Sequence, residues 1–393
     1  MKTKNLLALE GNQAIALAMR QINPDVVAAY PITPQTEIVQ VFSEYVANGE
    51  VNTEFVTVES EHSALSACVG ASAAGARVMT ATSSQGLALM WEVLYIASGA
   101  RLPIVMTVVN RALSSPINIH CDHSDAMGAR DSGWIQFWSE TVQEAYDNLI
   151  QAIRIAEKVH LPVMVNMDGF ITSHAEEVIE PLSDEDVRSF VGEYKPTRML
   201  LDVSNPYTIG PLALQDSYFE FKRSQAEAYK QVIPVVREVA EDFAKISGRK
   251  YELYEVYNLE DAEIGLVVLN SAAGTAKDVV DTLRTQGKKV GVIKPRLFRP
   301  LPVEELKKEL SHLEVIGVMD RADTYGGFGG PLFGDIRSIL YDSPNHPVIL
   351  DYIYGLGGRD VTLEHIHKVF EGLESVKSSC KVENLVNYIG IRE

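Results

Sequence analysis

Apolar positions in the first third of the chain follow two alternating spacings. Short, continuously apolar or β-branched runs are typical of buried strands, whereas apolar residues at every third or fourth position are typical of helices packed on a sheet. The pattern predicts strands at residues 26–30, 55–58, 78–82 and 104–109 and helices at residues 11–22, 34–46, 61–74 and 87–96. Strands and helices that alternate in this way favour a parallel, doubly wound α/β sheet.

Residues 110–135 interrupt this alternation. The stretch is polar and rich in turn-forming residues, and loops of this length in compact domains are usually functional or disordered. A helix at residues 148–159 and a strand at residues 162–166 are predicted next. Residues 181–211 look like a connector, and a charged helical stretch at residues 217–246 follows it.

The alternation returns near residue 262 and predicts a second α/β unit. Its elements are strands at residues 264–269, 289–294, 315–319 and 347–354, helices at residues 275–286 and 303–310, and a glycine-rich segment at residues 324–334 before another helix. We therefore expect a first domain at residues 1–180, a connector with a charged helix at residues 181–259, and a second domain at residues 260–393.

Composition narrows the class of protein. The chain has 393 residues, of which 46% are hydrophobic and 22% charged, as in ordinary globular proteins with two or three domains. No apolar run is long enough to span a membrane, and the apolar stretch after Lys4 is too short for a secretory signal, so a cytoplasmic location is expected. The net charge is −18 and no third of the chain is basic, so nucleic acid is not an expected partner.

The three cysteines are far apart and form no C-x-x-C pair, which argues against a disulfide framework, a zinc ribbon and an iron–sulfur cluster held by this chain alone. A P-loop, a G-x-S-x-G elbow and a complete G-x-G-x-x-G fingerprint are also missing. The segment from His120 to His123, with Asp125, offers ligand types for a metal. Adjacent ligands on one loop match metal spacing poorly, so a hydrogen-bonded loop is favoured and no metal ligand is predicted.

Four segments of the first domain together are specific. They are YPITPQT from Tyr30, ESEHSA from Glu59, TATSSQG from Thr80 and NRALSSP from Asn110. Through them the chain resembles the α subunits of the 2-oxoacid:ferredoxin oxidoreductases, most closely those that act on pyruvate. The later segments INIHCDHSDAM, RDSGWIQ, LPVMVNMDGF and YGLGGRD resemble the same family, so the resemblance covers essentially the whole chain.

The resemblance implies that thiamine diphosphate is the cofactor and that the first domain is the pyrimidine-binding domain of the thiamine diphosphate fold. Glu61 matches the family glutamate that bonds to the aminopyrimidine ring. A carboxyl group there favours the imino tautomer of the ring, which takes the proton from the thiazolium carbon. The alternative is that Glu61 only favours the start of its helix, where an acidic residue is stabilising in any case.

Other matched positions concern the substrate and the cofactor pocket. Thr33 and Arg111 match positions that hold the carboxylate and the keto group of the substrate, with Ile32 beside them. An arginine suits a carboxylate because its planar fork donates two parallel hydrogen bonds. The structural alternatives are a helix N-cap for Thr33, before Pro34 in the first helical turn, and a surface ion pair for Arg111.

A polar turn that follows a predicted strand is assigned to the cofactor pocket, because ligands of α/β proteins bind at the carboxyl ends of strands. Its residues are Ser84, Gln85 and Gly86. A turn with a purely structural role is the alternative.

Thiamine enzymes of this kind hold the diphosphate and Mg²⁺ with a G-D-G motif and a later asparagine. Gly334-Asp335 is the one Gly-Asp pair in the sequence, and Ile336 follows it. The resemblance therefore implies that a β subunit carries the diphosphate and Mg²⁺, and that [4Fe–4S] clusters also lie on partner subunits, with γ and δ subunits completing the complex. The second domain resembles the C-terminal domain of transketolase, which serves mostly in assembly.

The function implied is oxidative decarboxylation of pyruvate with coenzyme A (CoA), giving acetyl-CoA and CO₂ and reducing ferredoxin. Several alternatives remain open at this point. In the first, the substrate is another 2-oxoacid, namely 2-oxoisovalerate, 2-oxoglutarate or oxalate. In the second, the chain is a component of a lipoamide-dependent 2-oxoacid dehydrogenase. In the third, it is a non-catalytic assembly subunit.

Overall fold

The computed structural model describes residues 6–392, which form two α/β units. The strands in chain order are β1 (Leu7–Glu10), β2 (Val26–Ala29), β3 (Glu54–Thr57), β4 (Val78–Thr82), β5 (Ile104–Asn110), β6 (Ile135–Ser139), β7 (Val163–Asp168), β8 (Glu176–Ile179), β9 (Tyr254–Tyr257), β10 (Ile264–Val268), β11 (Val290–Pro295), β12 (Leu297–Arg299), β13 (Val315–Asp320), β14 (Val348–Tyr354) and β15 (Val386–Ile389).

Helices cover both faces of the sheets. They are α1 (Gly11–Ile22), α2 (Thr36–Ala47), α3 (Glu61–Ala74), α4 (Ser84–Leu89), α5 (Trp91–Gly99), α6 (Ser124–Gly128), α7 (Val142–Val159), α8 (Asp184–Val191), α9 (Tyr218–Tyr229), α10 (Val232–Ser247), α11 (Ala272–Thr285), α12 (Val303–Leu310), α13 (Pro331–Leu340) and α14 (Leu363–Ser379), with a 3₁₀ turn at Leu356–Gly358. Within the described part of the chain, no helix is long and apolar enough to cross a membrane.

The first sheet has seven strands in the order β12-β6-β7-β5-β4-β2-β3. Strands β2 to β7 are parallel, and β12 joins the edge antiparallel to β6. Buried apolar side chains from α1, α7 and α10 pack on one face, and those from α3 and α5 pack on the other. This is a doubly wound sheet, as the sequence predicts.

The second sheet has six strands in the order β15-β14-β13-β10-β11-β9, all parallel except for β9 at the edge. Helices α11 and α14 cover one face, and α12 and α13 cover the other. Strand β12 follows β11 directly in the chain but pairs with β6 in the first sheet. The chain therefore passes from the second sheet to the first at this point, and this joins the two units.

Buried charges strengthen this junction. The Lys294 ammonium, at the end of β11, lies 2.8 Å from a Glu140 carboxylate oxygen and 2.9 Å from one of Glu144. It also lies 3.1 Å from Glu255. Burial by itself would lower the pKa of Lys294, but these carboxylates hold it above its ordinary value. The ammonium group therefore stays charged and connects helix α7 to the second sheet.

Several predicted elements are confirmed within a few residues. Helix α3 and strand β4 have the predicted bounds, and α1 begins and ends where the periodicity indicates. Local chemistry explains the sharp limits of α3. The Ser60 hydroxyl accepts a hydrogen bond from the Ser63 amide, and Gly75 ends the helix with a φ of 104°, a conformation that favours glycine.

Other predictions are wrong in instructive ways. Thr33 is not an N-cap, because α2 begins only at Thr36 after Gln35. The predicted helix at residues 87–96 is two helices, α4 and α5, and the charged stretch at residues 217–246 is also two helices. The long polar loop at residues 110–135 contains α6 and ends at the first residue of β6, and α8 lies inside the predicted connector.

Candidate active site

The first sheet has a reversal of strand order between β2 and β4. From β2 the chain crosses to β3 at the edge, and it then returns over β2 to β4 on the other side. In open α/β sheets, ligands bind in the crevice outside the carboxyl ends of the strands at such a point. The loops after β2, β4 and β5 and the start of α3 all lie at this edge.

Glu61 is the first residue of α3 and is 7% exposed. A Cβ placed on Gly86 would lie 2.8 Å from Cγ and 2.9 Å from Oε1 of Glu61, and 2.4 Å from Oγ1 of Thr82. The predicted catalytic glutamate and the predicted pocket glycine are therefore in contact. Only a glycine permits this approach, because any side chain at position 86 would displace the carboxylate.

Polar atoms near Glu61 are without partners. Among the described residues, no side chain or backbone group hydrogen bonds to the Glu61 carboxylate, and the buried hydroxyls of Thr82 and Ser83 have no hydrogen-bond partner. Buried polar groups are normally satisfied. This cradle of a carboxylate, hydroxyls and a glycine fits the polar edge of an aminopyrimidine, so the residues present fit the pyrimidine half of thiamine diphosphate.

Ser84, Gln85 and Gly86 form the first turn of α4, so the prediction of a simple polar turn is wrong. Ser84 has a φ of 48°, an uncommon conformation for a residue with a side chain. Its backbone amide donates to Oδ2 of Asp125 at 2.9 Å, and its hydroxyl donates to the Ala112 carbonyl at 2.6 Å. These bonds hold the left-handed residue that starts α4.

Arg111 is buried, with 6% exposure, and is thus not a surface ion pair. Its Nη1 donates to the Thr33 carbonyl at 2.8 Å, and its Nε donates to the Asn118 carbonyl at 2.9 Å. Burial lowers the pKa of the guanidinium from its ordinary value, although an arginine stays charged. The structure therefore brings together the two residues predicted to bind the substrate.

The backbone of the loop that contains Thr33 is fixed by a buried glutamine. Gln35 donates from Nε2 to the Ala81 carbonyl at 3.1 Å and accepts at Oε1 from the Ile32 amide at 3.2 Å. Thr33 itself is exposed and Ile32 is half-buried. The loop after β2 is thereby attached to the end of β4, beside the Glu61 cradle.

Asp125 connects the two halves of the site. Its Oδ2 accepts from the Ser84 amide at 2.9 Å and from the Arg111 amide at 3.0 Å, and its Oδ1 accepts from Nδ2 of Asn110 at 3.0 Å. Complete burial raises the pKa of Asp125 to about 6, against the opposing effect of these hydrogen bonds. Sequence reasoning considered Asp125 only as a metal ligand and missed this role.

Cys121, His123 and Asp168 form a buried group whose ligand atoms lie within 4.8 Å of one another. Asp168 accepts from Asn270 at 2.9 Å, lies 2.8 Å from Nε2 of His123 and pairs with Nη1 of Arg321 at 3.1 Å. Burial would raise the pKa of Asp168, but His123 and Arg321 hold it well below its ordinary value. The carboxylate is thus already neutralised by protein groups, and a cation does not fit there.

The second domain contributes to this edge, whereas its Gly-Asp pair lies in another element. Arg321 and Asn270, which follow β13 and β10, bring the carboxyl end of the second sheet to Asp168 at the end of β7. Asp335, of the Gly-Asp pair, lies inside α13 and pairs with Arg299 at 2.8 Å. Its carboxylate is therefore already engaged by an arginine.

Comparison with known proteins agrees with this geometry. A family model described as "Pyruvate flavodoxin/ferredoxin oxidoreductase, thiamine diP-bdg" matches residues 17–241, and one described as "Pyruvate:ferredoxin oxidoreductase core domain II" matches residues 262–366. Pyruvate synthase subunit PorA of Thermotoga maritima is 55% identical over 389 residues, which are 98% of each chain. Ketoisovalerate oxidoreductase subunit VorA of Pyrococcus horikoshii is 42% identical over 385 residues, which are 98% of each chain.

A solved structure shows the same fold at lower identity. The chain aligns with a 2-oxoglutarate:ferredoxin oxidoreductase from Magnetococcus marinus, with a TM-score of 0.69 and 23% identity. The alignment covers 94% of this chain and 66% of the other.

The fold and the matched domains define the class, an α/β protein with a thiamine diphosphate-binding domain. Within that class, the chain belongs to the pyruvate:ferredoxin oxidoreductase family and is an oxidoreductase subunit of the pyruvate synthase type. The resemblance and the fold class predicted from the sequence are confirmed.

Proposed function

We propose that this chain supplies the pyrimidine half of the active site and the residues that hold the substrate carboxylate in a multi-subunit pyruvate synthase. The complex would convert pyruvate, CoA and oxidised ferredoxin to acetyl-CoA, CO₂ and reduced ferredoxin. The observation that supports the proposal most directly is the contact of Glu61 with Gly86, joined through Ser84 and Asp125 to Arg111.

Each residue has a definite task in this proposal. Thiamine diphosphate, when bound, supplies a nucleophilic carbon for the 2-oxo group and a ring that accepts the electron pair released with CO₂. Glu61 holds a proton at the pyrimidine ring nitrogen from a site closed to water. Arg111 donates to the substrate carboxylate from Nη2, since its Nε and Nη1 already donate to backbone carbonyls.

Partner subunits are part of the proposal. A β subunit would carry the diphosphate and Mg²⁺, and γ and δ subunits would bring the [4Fe–4S] clusters that pass electrons to ferredoxin. Exposed apolar side chains on α4 and α5 support a covered surface here: Leu89 is 50%, Trp91 45% and Ile96 47% exposed. A cytoplasmic location is consistent with three free cysteines.

Purification tests whether the active site is divided between this chain and a partner subunit. The full chain alone should neither turn over pyruvate nor retain thiamine diphosphate with Mg²⁺, whereas the co-expressed complex should do both and contain iron and acid-labile sulfide. A chain that is active by itself would contradict the split site. A colourless complex with a lipoyl partner would support the dehydrogenase alternative.

Replacing Glu61 with Gln in the complex tests the catalytic role. The variant keeps the shape of the side chain but removes the acid, so kcat should fall by at least about 100-fold while the subunits still assemble. Glu59→Gln, two residues earlier and exposed, is the matched control and should keep full activity. Unchanged turnover in Glu61→Gln would support a non-catalytic subunit.

Substrate preference needs a separate assay. Thr33 and Arg111 contact features that all 2-oxoacids share, and one methylene in a pocket changes selectivity by only about 1–3 kcal/mol. The complex should have a higher kcat/KM for pyruvate than for 2-oxoisovalerate, 2-oxoglutarate or oxalate. A preference for any of these three would reassign the substrate without changing the roles of the residues.

A further inference from the structure

Asp168, the last residue of β7, is a fully buried carboxylate that has no task in the proposed reaction. Side chains from three segments converge on it. Nε2 of His123 lies 2.8 Å from its Oδ1, to which Nδ2 of Asn270 also donates at 2.9 Å. Its Oδ2 accepts from the Ser271 hydroxyl and pairs with Nη1 of Arg321 at 3.1 Å. Because hydrogen bonds to a buried carboxylate are strong and directional, this group can fix the segments that supply the donors.

A first path leads from Asp168 to the substrate arginine through the loop before α6. His123 lies in this loop, close in the chain to Asp125, whose Oδ2 accepts from the Arg111 backbone amide at 3.0 Å. The ring of His123 also packs edge-on against Trp138, with the ring centroids 4.6 Å apart, and this limits its movement. The contact between His123 and Asp168 therefore fixes the segment that holds the backbone of Arg111.

A second path passes through the second domain and ends at the side chain of the same arginine. Arg321 donates from Nε to the Gly355 carbonyl at 3.3 Å, at the start of the turn after β14. In that turn the Gly357 carbonyl accepts from Nδ2 of Asn118 at 3.0 Å. The carbonyl of Asn118 then accepts from Nε of Arg111 at 2.9 Å. The ion pair of Arg321 therefore fixes the turn that holds the guanidinium of Arg111.

The two paths are bonded to each other as well as to Asp168. The backbone amide of His123 donates to the Arg321 carbonyl at 2.8 Å. Gly355 has a φ of 62°, and a Cβ at this position would lie 3.0 Å from Nε of Arg321, so a glycine suits the close approach of the guanidinium. A change at the carboxylate should therefore displace both paths together.

We propose that Asp168 is a positioning residue that fixes Arg111 in the substrate site. Through His123 it fixes the backbone amide of Arg111, and through Arg321 it fixes the side chain. The inference rests on the proposed function for the ligand of Arg111, which is there the carboxylate of pyruvate. Without the negative charge of Asp168 the guanidinium of Arg111 is free to shift, and pyruvate binds more weakly.

The test compares two aspartates in the assembled complex. In Asp168→Asn the KM for pyruvate should rise about tenfold, while kcat at saturating pyruvate stays within about threefold of wild type. Asp147→Asn is the matched control, because Asp147 is also a fully buried carboxylate, with Arg249 and Tyr251 both donating to its Oδ2 at 2.6 Å. Both variants should unfold at lower urea concentration than wild type, and only Asp168→Asn should change the KM for pyruvate.

Smaller changes test each path separately and serve where Asp168→Asn yields too little folded complex. Arg321→Lys keeps a positive charge next to the carboxylate but cannot donate to Asp168 and to the Gly355 carbonyl in the same geometry. His123→Leu removes the donor of the other path, and His123→Gln restores an amide donor at the end of a side chain of similar length. The KM for pyruvate should rise at least about threefold in Arg321→Lys and His123→Leu, and should return toward wild type in His123→Gln.

A double-mutant cycle distinguishes positioning of Arg111 from a general structural role. On an Arg111→Lys background, His123→Leu should change the KM for pyruvate by less than about 1.5-fold, because the side chain that it positions is already altered. If the effects of the two substitutions were fully additive, His123 and Asp168 would act independently of Arg111, and the inference would be overturned.

Hydrogen exchange separates failure of the inference from failure of the proposed function. Followed by mass spectrometry in the complex, the amides of residues 110–120 should exchange at least about fivefold faster in His123→Leu and Asp168→Asn than in wild type or Asp147→Asn. Unchanged exchange would overturn the inference. Faster exchange with an unchanged KM for pyruvate would support the positioning of Arg111 and would instead show that its proposed role in binding pyruvate is wrong.

Discussion

Replacing Arg111 with lysine keeps the positive charge but changes its geometry, and this makes it an informative test of the substrate site. The guanidinium of Arg111 is fixed by two backbone carbonyls, those of Thr33 and Asn118, at 2.8 and 2.9 Å. A lysine has one ammonium group and cannot donate to both carbonyls while also donating to a substrate carboxylate, as the arginine does from Nη2. The variant therefore changes both the hydrogen bonds that fix the side chain and the hydrogen bonding to the substrate carboxylate.

The magnitude follows from the bonds that are lost. A hydrogen bond from a charged donor contributes about 1.5–3 kcal/mol, and the lysine variant loses at least one such bond to the substrate. We expect a loss of about 2–4 kcal/mol in transition-state stabilisation, or roughly 30- to 1000-fold in kcat/KM for pyruvate. Affinity for thiamine diphosphate should change by less than about threefold, because in the proposed function Glu61 and a partner subunit hold the cofactor.

Arg101→Lys is the matched control. Arg101 also donates to two backbone carbonyls, of Val159 and His160, at 2.7 and 2.8 Å, but it lies before β5, at the opposite end of the strand from Arg111. Both variants should lose about 1–2 kcal/mol of stability in urea unfolding, and only Arg111→Lys should lose activity. If cofactor and substrate affinities fell in parallel in Arg111→Lys, Arg111 would organise the whole site. If neither changed, the placement of the substrate would be wrong.

Three further substitutions test the architecture of the site. Gly86→Ala should lower kcat at least about tenfold by displacing Glu61, whereas Gly70→Ala, in the open interior of α3, should raise stability by up to about 1 kcal/mol in thermal unfolding. Asp125→Asn replaces an acceptor by a donor facing backbone amides. Steady-state kinetics should show a loss of kcat/KM of about tenfold in this variant. The kcat/KM of the wild type should also decrease below pH about 6, where the Asp125 carboxyl takes a proton, and that decrease should be absent from the variant. Lys294→Met removes the ammonium from Glu144, and also from Glu140 and Glu255, which keep Lys277 as a partner, and it should cost about 3–5 kcal/mol in urea unfolding.

The pH dependence of stability at Asp125 has a defined sign. Its pKa is raised in the folded protein, so the folded state takes the proton more readily than the unfolded chain. Stability therefore decreases as the pH rises from about 4 to about 6, and the ionised carboxyl is least favourable above that range. Urea titrations across this window should show the slope in wild type and a smaller slope in Asp125→Asn.

The elements that the sequence predicts well are those with local signals. Helix α3 has a capping serine at Ser60 and a left-handed glycine at Gly75, and its bounds were predictable to the residue. Strand β12 has only three residues and pairs with β6, some 160 positions earlier in the chain. No local pattern encodes such a pairing, because its stabilisation comes from the completed edge of the sheet.

The candidate site shows the same difference between features that a short sequence segment encodes and features that depend on contacts between distant parts of the chain. Glu61, Thr33 and Arg111 were predicted as site residues because each lies in a segment shared with a known family. Asp125 was not assigned its role, because a carboxylate that accepts from backbone amides leaves no spacing rule in the sequence. Gly86 was a usable signal for the close approach to Glu61, because glycine is the residue that permits such an approach.

Arg111 illustrates why the site cannot be assigned to a single motif. Asp125 fixes its backbone amide, Thr33 and Asn118 fix its side chain, and these residues follow two different strands of the first sheet. Asn118 then connects the arginine to Gly357 in the second domain. Because Asn118 contacts both Arg111 and Gly357, a displacement of the turn after β14 should reach Arg111 through one asparagine. The second domain is thus connected by hydrogen bonds to the residue proposed to bind the substrate.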